Sequence, residues 1–314
     1  MPRRQAVRHA ARMTVAAVVA FAAAWAFDLP QGYWAVISAI VVMQGSLGGT
    51  LGASLDRLLA TIAGAGAGAV WVLVRAHLAV PEIVLLALAV APMALLAALR
   101  PSFRLAPITA VIVLLGATGE DGVFVAFHRM AEIALGCVIG GLTAQFVVPD
   151  RARNAIERGA AGLLEALGRV ASAHLTRAGD AATDPLNDVV RRYLAGLATA
   201  ATDEARERAL FLCTGPPAAP LLRTLRRVRS DVAMLGRAMA IDPDIDGSAA
   251  AEALAQHFKA AAAFLRGDGP APPLDLLDAA IGAAPATSAL AFALVTLRRD
   301  LGELDERLAE QVAT

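Results

Sequence analysis

Six apolar runs follow one another through the first half of the chain and set the expected architecture. They lie at approximately 11–27, 31–47, 57–74, 80–99, 105–117 and 123–148. Their lengths are close to the ~17–25 residues that a helix needs to cross the hydrocarbon core of a membrane, although the second and fifth are short. Between residues 13 and 99 the full charges stand at or near the ends of the runs. This pattern predicts six transmembrane helices in residues 1–149.

The pattern changes after Pro149, where charged and apolar residues mix with helical spacing. No segment of residues 150–314 shows the alternation at every second residue that is typical of a strand. Breaks rich in glycine and proline, near residues 179–185, 215–220, 242–247 and 267–273, divide this part into about five helices. We therefore predict an all-α protein, with a membrane domain in residues 1–149 and a helical cytoplasmic domain in residues 150–314.

The last predicted helix carries six leucines that are spaced by four and three residues in turn, which is the spacing of a heptad seam. They are Leu290, Leu294, Leu297, Leu301, Leu304 and Leu308. Such a seam needs a partner helix. The sequence allows that helix to belong either to the same chain or to a second protomer.

Another helix of the second half is basic, with Arg223, Arg226, Arg227 and Arg229. Its arginines form either a surface for anionic lipid or a transported anion, or a solvated face that complements acidic residues of the last helix. Those acidic residues are Glu303, Asp305, Glu306 and Glu310.

The membrane half repeats an arginine and two glycines at a distance of 72 residues. The first set is Arg57, Gly64 and Gly68, and the second is Arg129, Gly136 and Gly140. On a helix these positions share one face, so each arginine heads a glycine stripe that packs against a neighbouring helix.

The same offset carries residues 33–43 onto 105–115, so the repeat unit is three helices long, about 1–78 and 79–149. Because three crossings is an odd number, the second unit is expected to be inverted in the membrane relative to the first, as in many transporters. A chance recurrence of small-residue pairs, which mark only helix packing, is the alternative.

Composition and charge narrow the class of protein further. Hydrophobic residues make up 57% of the chain and the net charge is +0, which favours a membrane protein without a nucleic-acid partner. With the N-terminus inside, nine arginines lie on the cytoplasmic side and only Arg75 and Arg129 lie outside. Both termini are thus expected in the cytoplasm, and the protein in a bacterial inner membrane. Cys137 and Cys213 have no metal-ligand neighbours, so no metal or cofactor is predicted.

Arg57 and Arg129 are the main candidate substrate residues. Arg57 shares its helix face with Thr61, Gly64 and Gly68, so it is expected to point into the bundle, where charges are usually functional. The alternative is an arginine that reaches out to lipid headgroups. Arg129 occupies the equivalent place from the other side, and the two arginines together describe a path for an anion.

Other residues near these arginines have two interpretations each. Glu132, three residues after Arg129, is expected either to form an ion pair with it or to carry protons, a role that His128 shares. Tyr33 and Trp34, at the start of the second run, fit interface anchors as well as substrate contacts.

A glycine-rich stretch with Gly48, Gly49 and Thr50 precedes Arg57 and is expected to form a loop at a helix N-terminus where an anion enters the path. Free N–H groups and the positive end of the helix dipole attract anions at such a place. The stretch lacks the Gly-Lys-Ser/Thr ending of a phosphate loop, so nucleotide binding is not predicted.

These segments resemble the fusaric acid resistance and aromatic acid exporter family. The resemblance lies in residues 33–35 and 41–44, in Gly48–Thr50 and Arg57–Thr61, and in His128–Glu132 with Gly136, Gly140 and Pro149. It covers the membrane half well and the second half only in pattern. It departs from the family at Ala60, where a glycine is usual, and at Gly52 and Ala53, where basic residues are common.

The resemblance implies an efflux carrier for small organic anions, aromatic carboxylic acids above all, related to plant aluminium-activated malate transporters. Tyr33, Gln44, Thr61 and Glu132 then join the two arginines along the substrate path. Full-length exporters carry two such halves, so a homodimer is implied, and a periplasmic adaptor protein is one candidate partner.

Two other functions remain as alternatives. They are an anion channel of the same fold and a membrane-anchored sensor or scaffold in which the helical domain is the working part. An enzyme is not predicted, because the sequence has no convergent set of nucleophile, acid–base or metal-ligating residues near one membrane face.

Overall fold

The computed structural model describes residues 3–78, 80–116, 122–147 and 151–312. The chain divides into two compact units, Met1–Asp150 and Arg151–Thr314. Within the described residues, the regular elements are α-helices and one 3₁₀ turn, Pro101–Phe103. The prediction of an all-helical protein is therefore confirmed. The residues at which the change of pattern was placed, Pro149 and Asp150, lie outside the described part.

Six α-helices are described in the first unit. They are α1 (Arg3–Ala26), α2 (Tyr33–Val42), α3 (Leu47–His77), α4 (Glu82–Leu99), α5 (Ala106–Gly116) and α6 (Gly122–Phe146). Among the described residues, segments of α1, α3 and α4 are long and apolar enough to cross a membrane. By contrast, α2 and α5 span only ~15–17 Å at ~1.5 Å per residue, about half of a ~30 Å hydrocarbon core. Six full crossings are therefore not confirmed, because two of the predicted spans are half-length helices.

The surface of the first unit is rich in large apolar side chains. Helix α4 shows this most clearly, because Leu85 and Ala89 are buried while Ile83, Leu95 and Leu99 are exposed. A helix that is apolar on all sides and buries so little against its own unit needs an apolar solvent. The exposed faces therefore fit a lipid environment.

Helix α5 packs against the glycine stripe of α3. A Cβ atom built on Gly64 would lie 2.3 Å from the carbonyl oxygen of Ala106, and one built on Gly68 would lie 2.8 Å from the Cβ of Val113. No side chain larger than hydrogen fits at either place without movement of α5. Because Gly64 meets the first residue of α5 and Gly68 meets a later one, the two helices run parallel.

The same arrangement joins α2 to α6. A Cβ atom on Gly136 would lie 2.2 Å from the carbonyl oxygen of Ala35, and one on Gly140 would lie 2.7 Å from a methyl group of Val42. The glycines keep the predicted offset of 72 residues, but their partners Ala35 and Ala106 stand 71 residues apart. The expected alignment of residues 33–43 with 105–115 is thus wrong by one position. The residues of the short helices that face the glycines are 71 positions apart, whereas the glycines themselves are 72 apart.

The two long helices α3 and α6 pack against each other in opposite directions. Near the start of α3, the hydroxyl of Ser54 donates to the carbonyl oxygen of Cys137 over 3.4 Å. Further along α3, Ala65 belongs to a cluster with Met130, which comes earlier in α6. Since α2 and α5 each run parallel to one of these helices, they point in opposite directions, and both begin beside the middle of a long helix.

The second unit has six described helices where about five were expected. They are α7 (Ala152–Leu175), α8 (Asp180–Ala209), α9 (Ala218–Ile241), α10 (Ser248–Leu265), α11 (Asp275–Ala283) and α12 (Ala289–Val312). The short α11 is the additional helix. Helix α8 begins at Asp180 and includes Pro185, so the predicted break there is shorter than expected.

The leucine seam of α12 packs inside its own unit. All six leucines, from Leu290 to Leu308, are buried in one core cluster that also contains Leu225 and Leu235 of α9. The alternative of a partner helix in the same chain is therefore the one observed. The seam is not a free surface for a second protomer.

One acidic residue of α12 departs from the expected solvated face. Asp305 is only 17% exposed, and its Oδ1 atom lies 3.5 Å from Nε2 of the buried His257. Burial raises the pKa of Asp305 to about 7, and burial also lowers the pKa of His257. Both groups thus favour their neutral forms in the folded unit.

We expect stability to fall with rising pH because of Asp305. Its folded pKa of about 7 exceeds the unfolded value of ~3.9, so between these values the folded state binds more protons and loses stability as pH rises. The melting temperature of Asp305→Asn should therefore decline less between pH 5 and pH 8 than that of the wild type. Asp268→Asn, at an exposed loop position, should keep the wild-type decline. Parallel curves for wild type and Asp305→Asn would contradict this assignment.

The glycine contacts of α3 allow a matched test of packing. Gly64→Ala forces a Cβ atom against Ala106 and should lower the free energy of unfolding by about 1–3 kcal/mol. Gly66→Ala is the control, because a Cβ there meets nothing within 4 Å and alanine favours the helix. Melting temperatures in detergent compare the two. If both variants melt alike, the close contact does not hold α5 in place.

Candidate functional site

Polar groups of the first unit gather at the start of α2, around Arg129 of α6. The Arg129 side chain is 6% exposed, and its Nη2 donates to Oε1 of Gln31 over 2.7 Å. Its Nη1 lies 3.7 Å from Oε2 of Glu132, and its guanidinium carbon lies 4.1 Å from the centre of the Trp34 ring. An amide, a carboxylate and an indole face thus fix one buried cation.

The carboxylate of Glu132 is the anionic partner of Arg129 at this site. Its side chain is 1% exposed, and its Oε1 accepts the backbone N–H of Gln31, just before α2, over 2.8 Å. Carboxylates are stabilised at helix N-termini, where N–H groups are free and the dipole is positive. The ion pair with Arg129 that the sequence predicted is present, and the helix N-terminus completes it.

A cleft of about 100 Å³ opens beside this pair. It is lined by Pro30, Gln31, Phe124, His128, Arg129 and Glu132. Three buried nitrogens of these lining residues, Nε and Nη1 of Arg129 and Nδ1 of His128, have no hydrogen-bond partner among the described residues. The cleft therefore offers unused polar atoms next to an arginine that already holds a carboxylate.

Arg57 stands at the corresponding place on α3. Its side chain is buried, at 7% exposure, which places it inside the unit as the glycine stripe predicted. Its Nε has no hydrogen-bond partner and the guanidinium forms no ion pair within the described part of the chain. The position that corresponds to Glu132 is Ala60, so this buried arginine lacks the counter-ion of its equivalent. The hydroxyl of Thr61 donates to the carbonyl oxygen of Arg57 over 2.7 Å and so serves the helix itself.

Two of the predicted path residues lie at the margin. Tyr33 is half exposed, and its hydroxyl donates to Oε1 of Gln31 over 3.3 Å, so it touches the edge of the Arg129 site. The side chain of Gln44 is exposed, and its backbone N–H donates to Oγ1 of Thr50 over 3.0 Å. Gln44 therefore shapes the start of α3 through its backbone.

The glycine-rich stretch is not the loop that was predicted. Helix α3 already begins at Leu47, so Gly48, Gly49 and Thr50 form its first turn. The cause is Ser46, whose hydroxyl accepts the N–H of Gly49 over 3.0 Å as an N-cap. Thr50 in turn donates to the carbonyl oxygen of Ser46 over 2.9 Å. The cap takes the Gly49 amide that was expected to attract an anion.

Two arginines that the sequence assigned only to topology lie at the ends of the short helices. Nη2 of Arg12, which is 2% exposed, donates to the carbonyl oxygen of Gly45 just beyond α2 over 3.0 Å. Nη1 of Arg75 donates to the carbonyl oxygen of Leu114 in the last turn of α5 over 3.5 Å. A cation there complements the negative end of each helix dipole. In the sequence, the position of each of these arginines inside or at the edge of an apolar run could have indicated such a role.

Fold and site together define a helical membrane protein with charged groups buried inside its apolar unit. Groups of three or more metal-ligating side chains are absent from the residues described. The sequence model of the fusaric acid resistance protein family matches residues 6–314. The chain therefore belongs to the fusaric acid resistance protein family, a family of membrane transporters rather than enzymes. A search of curated proteins gave no match.

Proposed function

We propose that this protein exports small organic anions, aromatic carboxylic acids above all, from the cytoplasm across the bacterial inner membrane. The observation that carries the proposal is the Arg129 site, in which a buried carboxylate already pairs with an arginine and accepts a backbone N–H just before α2, while an indole ring covers the arginine. A substrate carboxylate needs the same contacts. The Trp34 ring, which faces Arg129, and the Phe124 ring, which lines the cleft, supply aromatic surface for a ring attached to that carboxylate.

The proposed binding step exchanges one carboxylate for another. The substrate takes the place of Glu132 at the Arg129 guanidinium and at the Gln31 N–H, and Glu132 accepts a proton on the oxygen that is released. Without that proton the site would hold two negative charges against one positive charge in an apolar surrounding, which is costly. Anion binding and proton uptake are thereby coupled as a symport of one proton with one anion, so export runs down the outward gradient of the acid, and His128 in the same cleft is placed to pass the proton.

The proposal includes two inverted repeats, residues 1–78 and 79–149, in the membrane. It is supported by the opposite directions of α3 and α6 and by the matching contacts of α2 and α5 with the glycine stripes. Short helices that begin near the middle of a membrane unit place their positive ends where an anionic substrate crosses. Arg129 and Arg57 then stand on either side of that crossing point, and rocking of one repeat against the other would expose them in turn.

An anion channel of the same fold is the second candidate. It is favoured by Arg57, which has no counter-ion to exchange among the residues described and would let an anion pass without a proton step. A carrier coupled to protons accumulates its substrate against a gradient, whereas a channel only equilibrates it. Cytoplasmic termini, a homodimer and a periplasmic adaptor protein also belong to the proposal. The buried leucine seam gives the homodimer no support, so light scattering of the solubilised protein must establish it.

Removal of a path arginine should abolish transport and leave the folded protein in the membrane. We expect Arg129→Ala and Arg57→Ala to lower efflux of a labelled aromatic acid from vesicles at least ~10-fold, the equivalent of one charged hydrogen bond of about 1.5–3 kcal/mol. Lysine at either place should restore only part of the activity, because it lacks the planar two-pronged contact. Arg100→Ala, at an exposed position at the end of α4, is the matched control. Near-normal efflux in both alanine variants would remove these residues from the mechanism.

The role of Glu132 can be separated from that of Arg129. Glu132→Gln keeps the size of the side chain and removes the group that binds a proton. We expect exchange down a concentration gradient to persist, while accumulation driven by an imposed pH gradient disappears. Glu82→Gln, at the exposed start of α4, should accumulate substrate like the wild type. If Glu132→Gln still accumulates substrate, the carboxylate exchange is wrong, and if the wild type only equilibrates it, the channel is the correct function.

A further inference from the structure

The second unit contains a basic groove that the transport proposal does not use. It lies between α9 and α12 and has a volume of about 470 Å³. Four arginines line it together with Thr224 and Glu303. They are Arg223, Arg226 and Arg227 of α9 and Arg307 of α12.

Helix geometry explains why the three arginines of α9 meet in one groove. Positions 223, 226 and 227 are spaced by three and four residues, which brings them to one side of the helix. The side beside them holds Leu225 and Val228, which are buried in the core cluster. The arginines are thus carried by a helix that the core holds in place.

Part of the groove is already organised by acidic groups. The Arg227 guanidinium forms an ion pair with Glu303, and its Nε lies 3.6 Å from Oδ2 of Asp300. The hydroxyl of Thr224 donates to Glu303 over 3.2 Å. The hydrogen bonds and charge of Arg227 lower the pKa of Glu303, so this carboxylate is ionised and its charge is matched.

The remaining arginines are less engaged. Arg307 pairs with Glu310 over 3.0 Å, but its buried Nε has no hydrogen-bond partner within the residues described. Neither Arg223 nor Arg226 forms an ion pair with any described residue. The groove therefore presents two unpaired guanidinium groups beside two that neighbouring acids hold in position.

The chemistry of the lining selects the class of ligand. Guanidinium groups bind phosphate through two parallel hydrogen bonds, and clusters of arginine recognise phosphoryl groups. Pro220 is the one apolar residue among those that line the groove, so no aromatic face is available there on which a ring or a nucleobase would stack. The lining thus fits an anion rich in oxygen better than the aromatic acids proposed for the first unit.

We propose that this groove binds a ligand with at least two phosphoryl groups, either a free diphosphate or the phosphorylated headgroup of a lipid. The unpaired Arg223 and Arg226 supply the charge, and the fixed Arg227 and Arg307 supply further donors. The proposal is independent of the transported substrate, because the groove and the Arg129 site belong to different units.

The test measures the affinity of the solubilised protein for pyrophosphate by isothermal titration calorimetry in detergent. Wild type should bind pyrophosphate, and the double variant Arg223→Ala/Arg226→Ala should bind at least ~10-fold more weakly, as expected for the loss of charged hydrogen bonds. Arg229→Ala is the matched control, since it is an exposed arginine of the same helix that does not line the groove. The melting temperature of each variant is measured to check that the variant is folded.

Further arms of the experiment separate the sources of the phosphoryl groups. The titration is repeated in nanodiscs of neutral lipid and in nanodiscs that contain phosphatidylinositol bisphosphate. If this lipid weakens pyrophosphate binding to the wild type and has no such effect on Arg223→Ala/Arg226→Ala, the ligand is a lipid headgroup. If pyrophosphate binds equally well with and without the lipid, the ligand is a free diphosphate. The proposal would be overturned if the wild type did not bind pyrophosphate, or if Arg229→Ala lost as much affinity as Arg223→Ala/Arg226→Ala. It would also be overturned if benzoate competed with pyrophosphate as well as the lipid does. None of these results depends on efflux, so the transport function is judged separately.

Discussion

The close approach of two helix backbones at glycine is the contact on which the first unit depends. Gly64 and Gly136 let the short helices α5 and α2 lie against α3 and α6 with carbonyl oxygens where a side chain would otherwise be. A helix of ten or eleven residues is marginal alone, since nucleation is unfavourable and few hydrogen bonds repay it. In an apolar solvent the hydrophobic effect adds nothing between helices, so tight packing must hold them.

This contact also determines where the polar groups can be. Because α2 begins beside the middle of α6, the backbone N–H of Gln31, just before α2, lies next to the buried Glu132. Glu132 accepts that N–H and pairs with Arg129, and Arg129 donates to the Gln31 side chain, so one contact compensates for the burial of several polar groups. The other half of the unit has Ala60 in place of the carboxylate, and the buried Arg57 has no counter-ion within the part of the chain that the structure describes. Two halves built on the same packing thus differ in charge.

Much of the fold could be read from the sequence, because its causes are local. Apolar runs gave helices close to the observed ones, and the glycine stripes pointed to the correct packing face. The second and fifth runs were recognisably short, but the apolar runs extend beyond the ends of α2 and α5, so their hydropathy did not show that these helices stop halfway across. The shift of one residue between the short helices was also hidden, since it depends on which carbonyl meets which glycine.

The charged residues of the candidate site were predicted from the sequence, whereas its backbone contact was not. Arg129, Glu132 and Arg57 stand out in the sequence as charges within apolar segments. Gln31, whose backbone N–H and side chain both take part, was not among the predicted site residues. The helix N-terminus expected at Gly48 and Gly49 is capped by Ser46, while the one that holds a carboxylate is at α2. Asp305 shared a stretch with exposed acids, and only the position of His257 reveals that it turns inward.

The sparse burial of α4 has a consequence for how the protein behaves outside a membrane. Leu85 and Ala89 are the only fully buried residues of this helix, so in a bilayer lipid tails would contact most of its surface. With 18 residues it reaches ~27 Å, which suits a bilayer of ordinary or slightly reduced thickness. The bilayer is in this sense a structural neighbour of α4, and a mismatch between its thickness and the helix length acts on α4 directly. Since α5 follows α4 in the chain, a change of membrane thickness reaches the packing of α5 on α3 without any ligand.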